Sequence, residues 1–324
     1  MKQKIACLLA AVLACSALLV QAQPLSSRPI KIVVPFGAGG VADLTARIVA
    51  QKMADNMGQP VVVENKPGAG GVVAGDAVAK AEPDGHTLLL MSNGTAVSAG
   101  LFKSLPFDAV RDFAPISMLG LFDIALVVPQ GSPHKTLADL LAYARANPGK
   151  LNIGTINVGS TQNLSAELFK STANVQLQVV PFNGTPAVIT ALRGGQIDAA
   201  IEILSPVLPQ INAGAVAALA VFGDKRSTAL KDVPTATQSG GAGFSNFSAA
   251  SWNALAAPAK THKDVIVRLN REVKLALESP DVKKRLLDLN IDATPSTPEQ
   301  LATLLAAEIR RWSDVIARAK IPMQ

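Results

Sequence analysis

Short apolar runs alternate with segments whose apolar residues recur every three or four positions, and this alternation continues along most of the chain. Ile30–Val34, Pro60–Glu64 and Thr87–Met91 read as β-strands, and Leu44, Ile48 and Met53 fall near helical spacing between the first two. Asp123–Pro129 is a fourth strand, reached through a long loop-like stretch. Thr136 and Asp139 form a capping box that opens a helix to Ala146, and Pro148-Gly149 stops it. Strands follow at Leu151–Thr155, Val175–Pro181, Gln196–Ile203 and Ala217–Phe222, with helices between them carrying Leu164, Leu168 and Phe169, then Thr185 as N-cap with Pro186 at N1, through Leu192. Lys231–Ser251 is rich in Gly, Ser, Thr and Ala and reads as a loop or crossover. Three helices complete the chain: Lys263–Glu278, Pro280–Leu289, and one opened by a Thr297–Gln300 capping box through Ala319, with its apolar face on Leu301, Leu305, Ile309, Trp312 and Ile316. Their spacing is what core packing requires. Alternation of this kind predicts α/β architecture with mostly parallel sheets.

The first 22 residues have the form of a secretory signal peptide. Lys2 and Lys4 precede an uncharged apolar run from Ile5 to Val20, and cleavage is expected near Ala22. A membrane anchor fits less well because the run is short for a span. Lipid attachment at Cys15 fits less well because Leu13 is a poor residue two before it. Both cysteines, Cys7 and Cys15, lie in this segment. The exported chain would therefore carry no disulfide, thiol nucleophile or Cys-ligated metal, and its core alone must hold it.

Charge and composition narrow the function. The net charge is +6, without a basic run, which argues against nucleic acid as a partner and suits small anionic ligands. Aromatic residues are 4% of the chain, too few for a receptor that stacks sugars. His86, His134 and His262 occupy unrelated turn-like contexts and are expected on the surface; no nucleophile elbow, paired metal-ligand spacing or cofactor motif of sufficient length accompanies them. Gly37-Ala38-Gly39-Gly40-Val41-Ala42 does match a dinucleotide fingerprint, with Glu64 near the position of a ribose-binding acid. Pro35-Phe36 lengthens that turn, a second Gly-rich turn at 68–71 crowds the edge, and the export signal points away from NAD. Asp43, in the first turn of the helix, reads chiefly as a cap and dipole partner.

Three polar, Gly-rich strand-to-helix turns recur instead: Gly39-Gly40, Gly159-Ser160-Thr161 and Gly184-Thr185-Pro186. Helix N-termini with free N–H groups at the carboxyl ends of strands suit a carboxylate held by backbone dipoles, although each taken alone is also an ordinary cap.

Several longer motifs resemble one family. They are Arg28-Pro29-Ile30-Lys31-Ile32-Val33-Val34-Pro35-Phe36, then Ala38-Gly39-Gly40 with Asp43, and Pro60–Gly71. They continue with Ala81–Gly85, Leu105–Asp108, Asp112–Ile116, Ala166–Phe169, Gly194–Asp198 and Asp232–Thr235. In these the chain resembles the Bug-type receptors, the extracytoplasmic solute-binding components of tripartite tricarboxylate transporters. The resemblance implies a periplasmic-binding-protein-like (type II) Venus flytrap, with two α/β domains crossed twice by the chain. Residues 23–124 with 225–324 would form one domain and 125–224 the other, with the ligand cleft between them. It implies a periplasmic, monomeric, non-enzymatic protein without cofactor or metal, delivering a small carboxylate to membrane transporter subunits. A sensor that hands the same ligand signal to a membrane signalling protein would use the same cleft.

Carried over by position, the first-domain contacts would be Phe36, Gly39, Gly40, Val41 and Asp43, with Ser92, Asn93 and Thr95. The second domain would supply Gly159, Ser160, Thr161 and Asn163, then Phe182, Asn183, Gly184 and Thr185, and Glu202. Asn163 stands where the family often has His, Phe182-Asn183-Gly184 replaces Tyr-Lys-Gly, Glu202 replaces Asp, and Ala96 lacks a frequent polar side chain. A carboxylate at 202 would repel a second ligand carboxylate unless a donor or water intervenes, which favours a ligand with an amino or hydroxyl group there.

Overall fold

The computed structural model describes residues 27–323, so the leader lies outside the described residues. Two mixed β-sheets organise the chain. β1 (Ile30–Val34), β2 (Val61–Asn65), β3 (Thr87–Ser92), β4 (Phe113–Phe122), β10 (Ser251–Pro258) and β11 (Asp292–Ala293) form one, in the order β11-β4-β10-β3-β1-β2. β5 (Ile124–Pro129), β6 (Asn152–Ile156), β7 (Gln178–Phe182), β8 (Ala199–Ile203) and β9 (Val216–Val221) form the other, in the order β7-β6-β8-β5-β9.

The two sheets repeat one plan. In each, a first strand lies parallel between the second and third, and an antiparallel strand follows the third. That antiparallel strand is β10 in the first sheet and β5 in the second; each is the first strand after the chain changes sheets. The chain crosses at Asp123, between β4 and β5, and returns after Val221. This is the type II flytrap fold.

Period-2 alternation explains how the strands are covered. Ile30, Ile32, Val34, Leu88 and Leu90 enter one apolar cluster with α1 (Val41–Met57) and α9 (Lys263–Glu278), while Val33, Leu89 and Met91 enter another on the opposite face. That second cluster is lined by α2 (Val72–Ala79), α3 (Asn93–Leu101) and α11 (Pro298–Arg318), and it runs on into the second sheet through Leu126, Ile153 and Ile201. Helix α11 packs on α3 and on α5 (Thr161–Ala173), so it joins the two layers. The remaining helices are α4 (Leu137–Ala146), α6 (Thr185–Arg193), α7 (Leu204–Asn212), α8 (Ala236–Ser239) and α10 (Pro280–Asp288).

Several expectations need correction. The sheets are mixed, not mostly parallel. The stretch before β5 contains α3 and the ten-residue strand β4. β10 follows the Gly- and Ser-rich segment directly; its residues are buried on both faces and rich in alanine, so the sequence shows no alternation. Between the expected strands at Gln196–Ile203 and Ala217–Phe222 lies α7, which carries Pro206 and Pro209. At α6 the N-cap is Gly184, at φ 95°, and Thr185 is the first helical residue. That shift frees the Thr185 hydroxyl for a different partner.

Candidate ligand-binding site

Matching turns follow β1 in one sheet and β6 in the other, the strand that lies between two parallel neighbours in each. After β1, Gly39 adopts φ 81°, and its N–H donates to Oδ2 of Asp43 at 2.8 Å. After β6, Gly159 adopts φ 78°, and its N–H donates to Oδ1 of Asn163 at 3.2 Å. In both, a residue four positions ahead on the following helix reaches back and fixes the glycine turn. Left-handed backbone of this kind suits glycine because it has no Cβ. Gly40 and Ser160 are the N-caps of α1 and α5. Each turn thus presents helix N–H groups at the carboxyl end of a parallel strand, where the helix dipole favours negative charge.

Asp43 is consumed by this bracing. Its carboxylate also accepts two bonds from Arg47 Nε, each 3.0 Å, and one from Asn65 Nδ2 at 2.9 Å, while Arg47 donates to Asn65 Oδ1 at 3.0 Å. Burial raises its pKa, but the bonds from Arg47, Gly39 and Asn65 outweigh that and hold it below the usual carboxylate range. Its side chain is buried and turned to the loop. Asn163 is likewise committed, since its amide donates to Thr155 Oγ1 at 3.3 Å. Asn93 is fully buried; it donates to the Ala250 carbonyl at 3.2 Å and accepts from the Trp252 N–H at 3.1 Å. These three side chains brace the backbone around the candidate site.

The other first-sheet residues gather at one edge. Ser92 caps α3 by accepting from the Gly94 N–H at 3.1 Å, and Thr95 Oγ1 accepts from the Ser92 N–H at 3.3 Å. The tip of the Phe36 ring lies close to Gly94, so the turn after β1 and the start of α3 adjoin. Phe36 is 38% exposed, and its ring is available to a ligand. Val41 is half-buried at the first position of α1.

On the second sheet, Ser160 Oγ accepts from the Asn163 N–H at 3.1 Å, and Thr161 opens α5. Phe182 ends β7 and packs over Gly154, Asn183 is exposed, and Gly184 and Thr185 open α6. Glu202, near the end of β8, is fully buried. Its Oε2 accepts from Thr185 Oγ1 at 2.9 Å and from Gln162 Nε2 at 3.3 Å. Its Oε1 is buried with no hydrogen-bond partner among the described residues. Burial pushes the carboxyl up to about 7, against the lowering bonds from Thr185 and Gln162.

Sequence reasoning missed Gln162, whose place in the first turn of α5 is the one signal for it. It also missed Trp252 and Asn253, which enter beside Ser92 because β10 runs antiparallel to β3; Trp252 Nε1 and Asn253 Oδ1 are buried without partners among the described residues. His86, expected at the surface, is buried, with Nδ1 3.3 Å from the Pro29 carbonyl.

Residues 45–321 match the model of the tripartite tricarboxylate transporter family receptor, TctC. The chain belongs to that family. BugT of Bordetella pertussis is 36% identical to this receptor over 92% of the chain and 91% of BugT. Among solved structures, Rhodopseudomonas palustris Rpa4515 with adipate is 31% identical with a TM-score of 0.80, covering 91% of the receptor and 98% of Rpa4515. MatC from Rhodopseudomonas palustris with bound malate is 34% identical with a TM-score of 0.75, covering 89% of the receptor and 99% of MatC.

Proposed function

We propose that this receptor works in the periplasm, where it closes its two domains on a small organic carboxylate and delivers it to membrane transporter subunits. The pair of braced glycine turns, Gly39–Asp43 and Gly159–Asn163, carries the reading. One turn stands on each sheet, and each offers helix N–H groups. The adipate and malate bound to two relatives support a carboxylate ligand. Residues 23–124 with 225–324 would move as one jaw and 125–224 as the other, hinged at the two crossovers, with closure burying the ligand. Phe36, Gly39, Gly40, Val41, Ser92 and Thr95 would line the first jaw. Gly159, Ser160, Thr161, Phe182, Asn183, Gly184, Thr185 and Glu202 would line the second. The chain would act as a monomer and release its ligand unchanged.

A thermal-shift screen of the exported form against mono-, di- and tricarboxylates, amino acids and aromatic acids tests this. A binder raises the melting temperature by linkage. The absence of a shift from every carboxylate would overturn the proposal.

A further inference from the structure

Glu202 is fully buried, ionisable and left with one unpaired oxygen, a combination found in no other residue of the candidate site. Gln162, in the first turn of α5, and Thr185, the first residue of α6, both donate to Oε2. Side chains from the first turns of two helices therefore converge on this carboxyl group.

Two consequences follow from the chemistry. When Glu202 is ionised, a second carboxylate brought to Oε1 would meet a like charge in a buried setting, where such repulsion is poorly screened. A buried oxygen without a donor is costly, and a ligand donor that reaches it recovers that cost. The donors already on Oε2 fix its role as acceptor, so in the ionised form Oε1 is the acceptor left to read the ligand.

We propose that Glu202 is a specificity-determining residue that selects acids bearing a hydroxyl or ammonium donor, hydroxy acids and amino acids, over the corresponding unsubstituted acids. The inference rests on the receptor reading above. It assigns the backbone turns to the ligand carboxylate and Glu202 Oε1 to the donor. The same geometry predicts the effect of an amide at this position. In Glu202→Gln the side-chain oxygen would keep the Thr185 and Gln162 bonds, and the NH2 group would stand where Oε1 stood, which turns an acceptor into a donor.

Calorimetric titration of matched acids at pH 8, where Glu202 is ionised, on the wild-type protein and Glu202→Gln tests this. The probes are propionate, lactate and alanine; succinate, malate and aspartate; glutarate, 2-hydroxyglutarate and glutamate. In the series that binds, wild-type protein should take a donor-bearing acid at least tenfold more tightly than its unsubstituted partner. Glu202→Gln should lose that preference or reverse it. Equal affinity for the unsubstituted acid in wild-type protein would overturn the inference while leaving the receptor reading intact. A preference that Glu202→Gln leaves unchanged would do the same. Failure of every carboxylate to bind would overturn the receptor reading and this inference together. The wild-type comparison stands whether or not the variant folds.

Discussion

Leu101, the last residue of α3, fills the space that a Cβ on Gly159 would occupy: its Cδ2 lies 2.4 Å from that position. Leu101 belongs to the first sheet's layer and Gly159 to the turn after β6 in the second. The glycine is therefore required twice, for its backbone at φ 78° and for the leucine across from it. The two halves meet here by close packing of a side chain on bare backbone.

Gly159→Ala should destabilise the protein by about 1–3 kcal/mol, from left-handed backbone strain and overpacking together. Urea unfolding of Gly159→Ala, Leu101→Ala and the double variant separates the two causes. The steric part should disappear in the Leu101→Ala background, leaving the backbone part of roughly 1 kcal/mol. Purely additive effects would show that the contact is not maintained in solution. Ligand affinity should also fall in Gly159→Ala if this contact forms on closure.

Stability should depend on pH through Glu202. The folded protein holds this proton up to about 7, whereas the ordinary value is 4.5. Between those values the folded chain binds the extra proton, so the contribution is fully present below pH 4.5 and is lost as pH rises through about 7. The loss is of the order of 3 kcal/mol in the unliganded protein. Burial raises Asp123 as well, in the same sense, so the wild-type slope alone is ambiguous. The difference between wild-type and Glu202→Gln melting temperatures isolates Glu202. It should favour the glutamine variant at pH 8 and shrink toward pH 5.

Asp43→Asn should loosen the turn after β1. The change weakens the charge-assisted bonds from Arg47 and Gly39 and should cost about 1–3 kcal/mol. The wild-type carboxyl is held below its ordinary 3.8, so its stabilisation is present above that pH and fades as pH falls below it. The expected signature is a lower melting temperature at pH 7 with weaker ligand binding, and a smaller gap between the two proteins below pH 3.8. Ligand binding weakened with no stability change would mark Asp43 as a direct contact instead.

Asn93→Ala removes both bonds to the backbone at Ala250 and Trp252. Leaving these buried backbone groups without their side-chain partner should cost roughly 2–4 kcal/mol. Chemical denaturation measures that cost, and a stability change below about 0.5 kcal/mol would show the brace to be dispensable.

Helices with caps and a sustained apolar face were legible in the sequence. Lys263–Glu278 matches its expected span, the Thr136–Asp139 and Thr297–Gln300 capping boxes form as expected, and Ile30–Val34 is a strand over its expected residues. β4 and β10 were not legible, because a strand covered on both faces needs no alternation and alanine has little strand preference. The glycine turns were legible as turns, since φ near 80° at Gly39 and Gly159 restricts the residue choice.

The sequence by itself determined the α/β plan, the family and the loops that cluster at the strand ends. These follow from local backbone preferences and from motifs contiguous in the chain. Only the tertiary structure decided which side chains in those loops face inward. Asp43 and Asn163 each bond a glycine four residues back, whereas Asn93 meets the backbone of β10 only once β3 and β10 are paired. Glu202 shows the converse. Its environment depends on Gln162 and Thr185, 40 and 17 residues away in sequence, which only the packing of α5 and α6 against β8 brings to one oxygen while leaving the other without a partner.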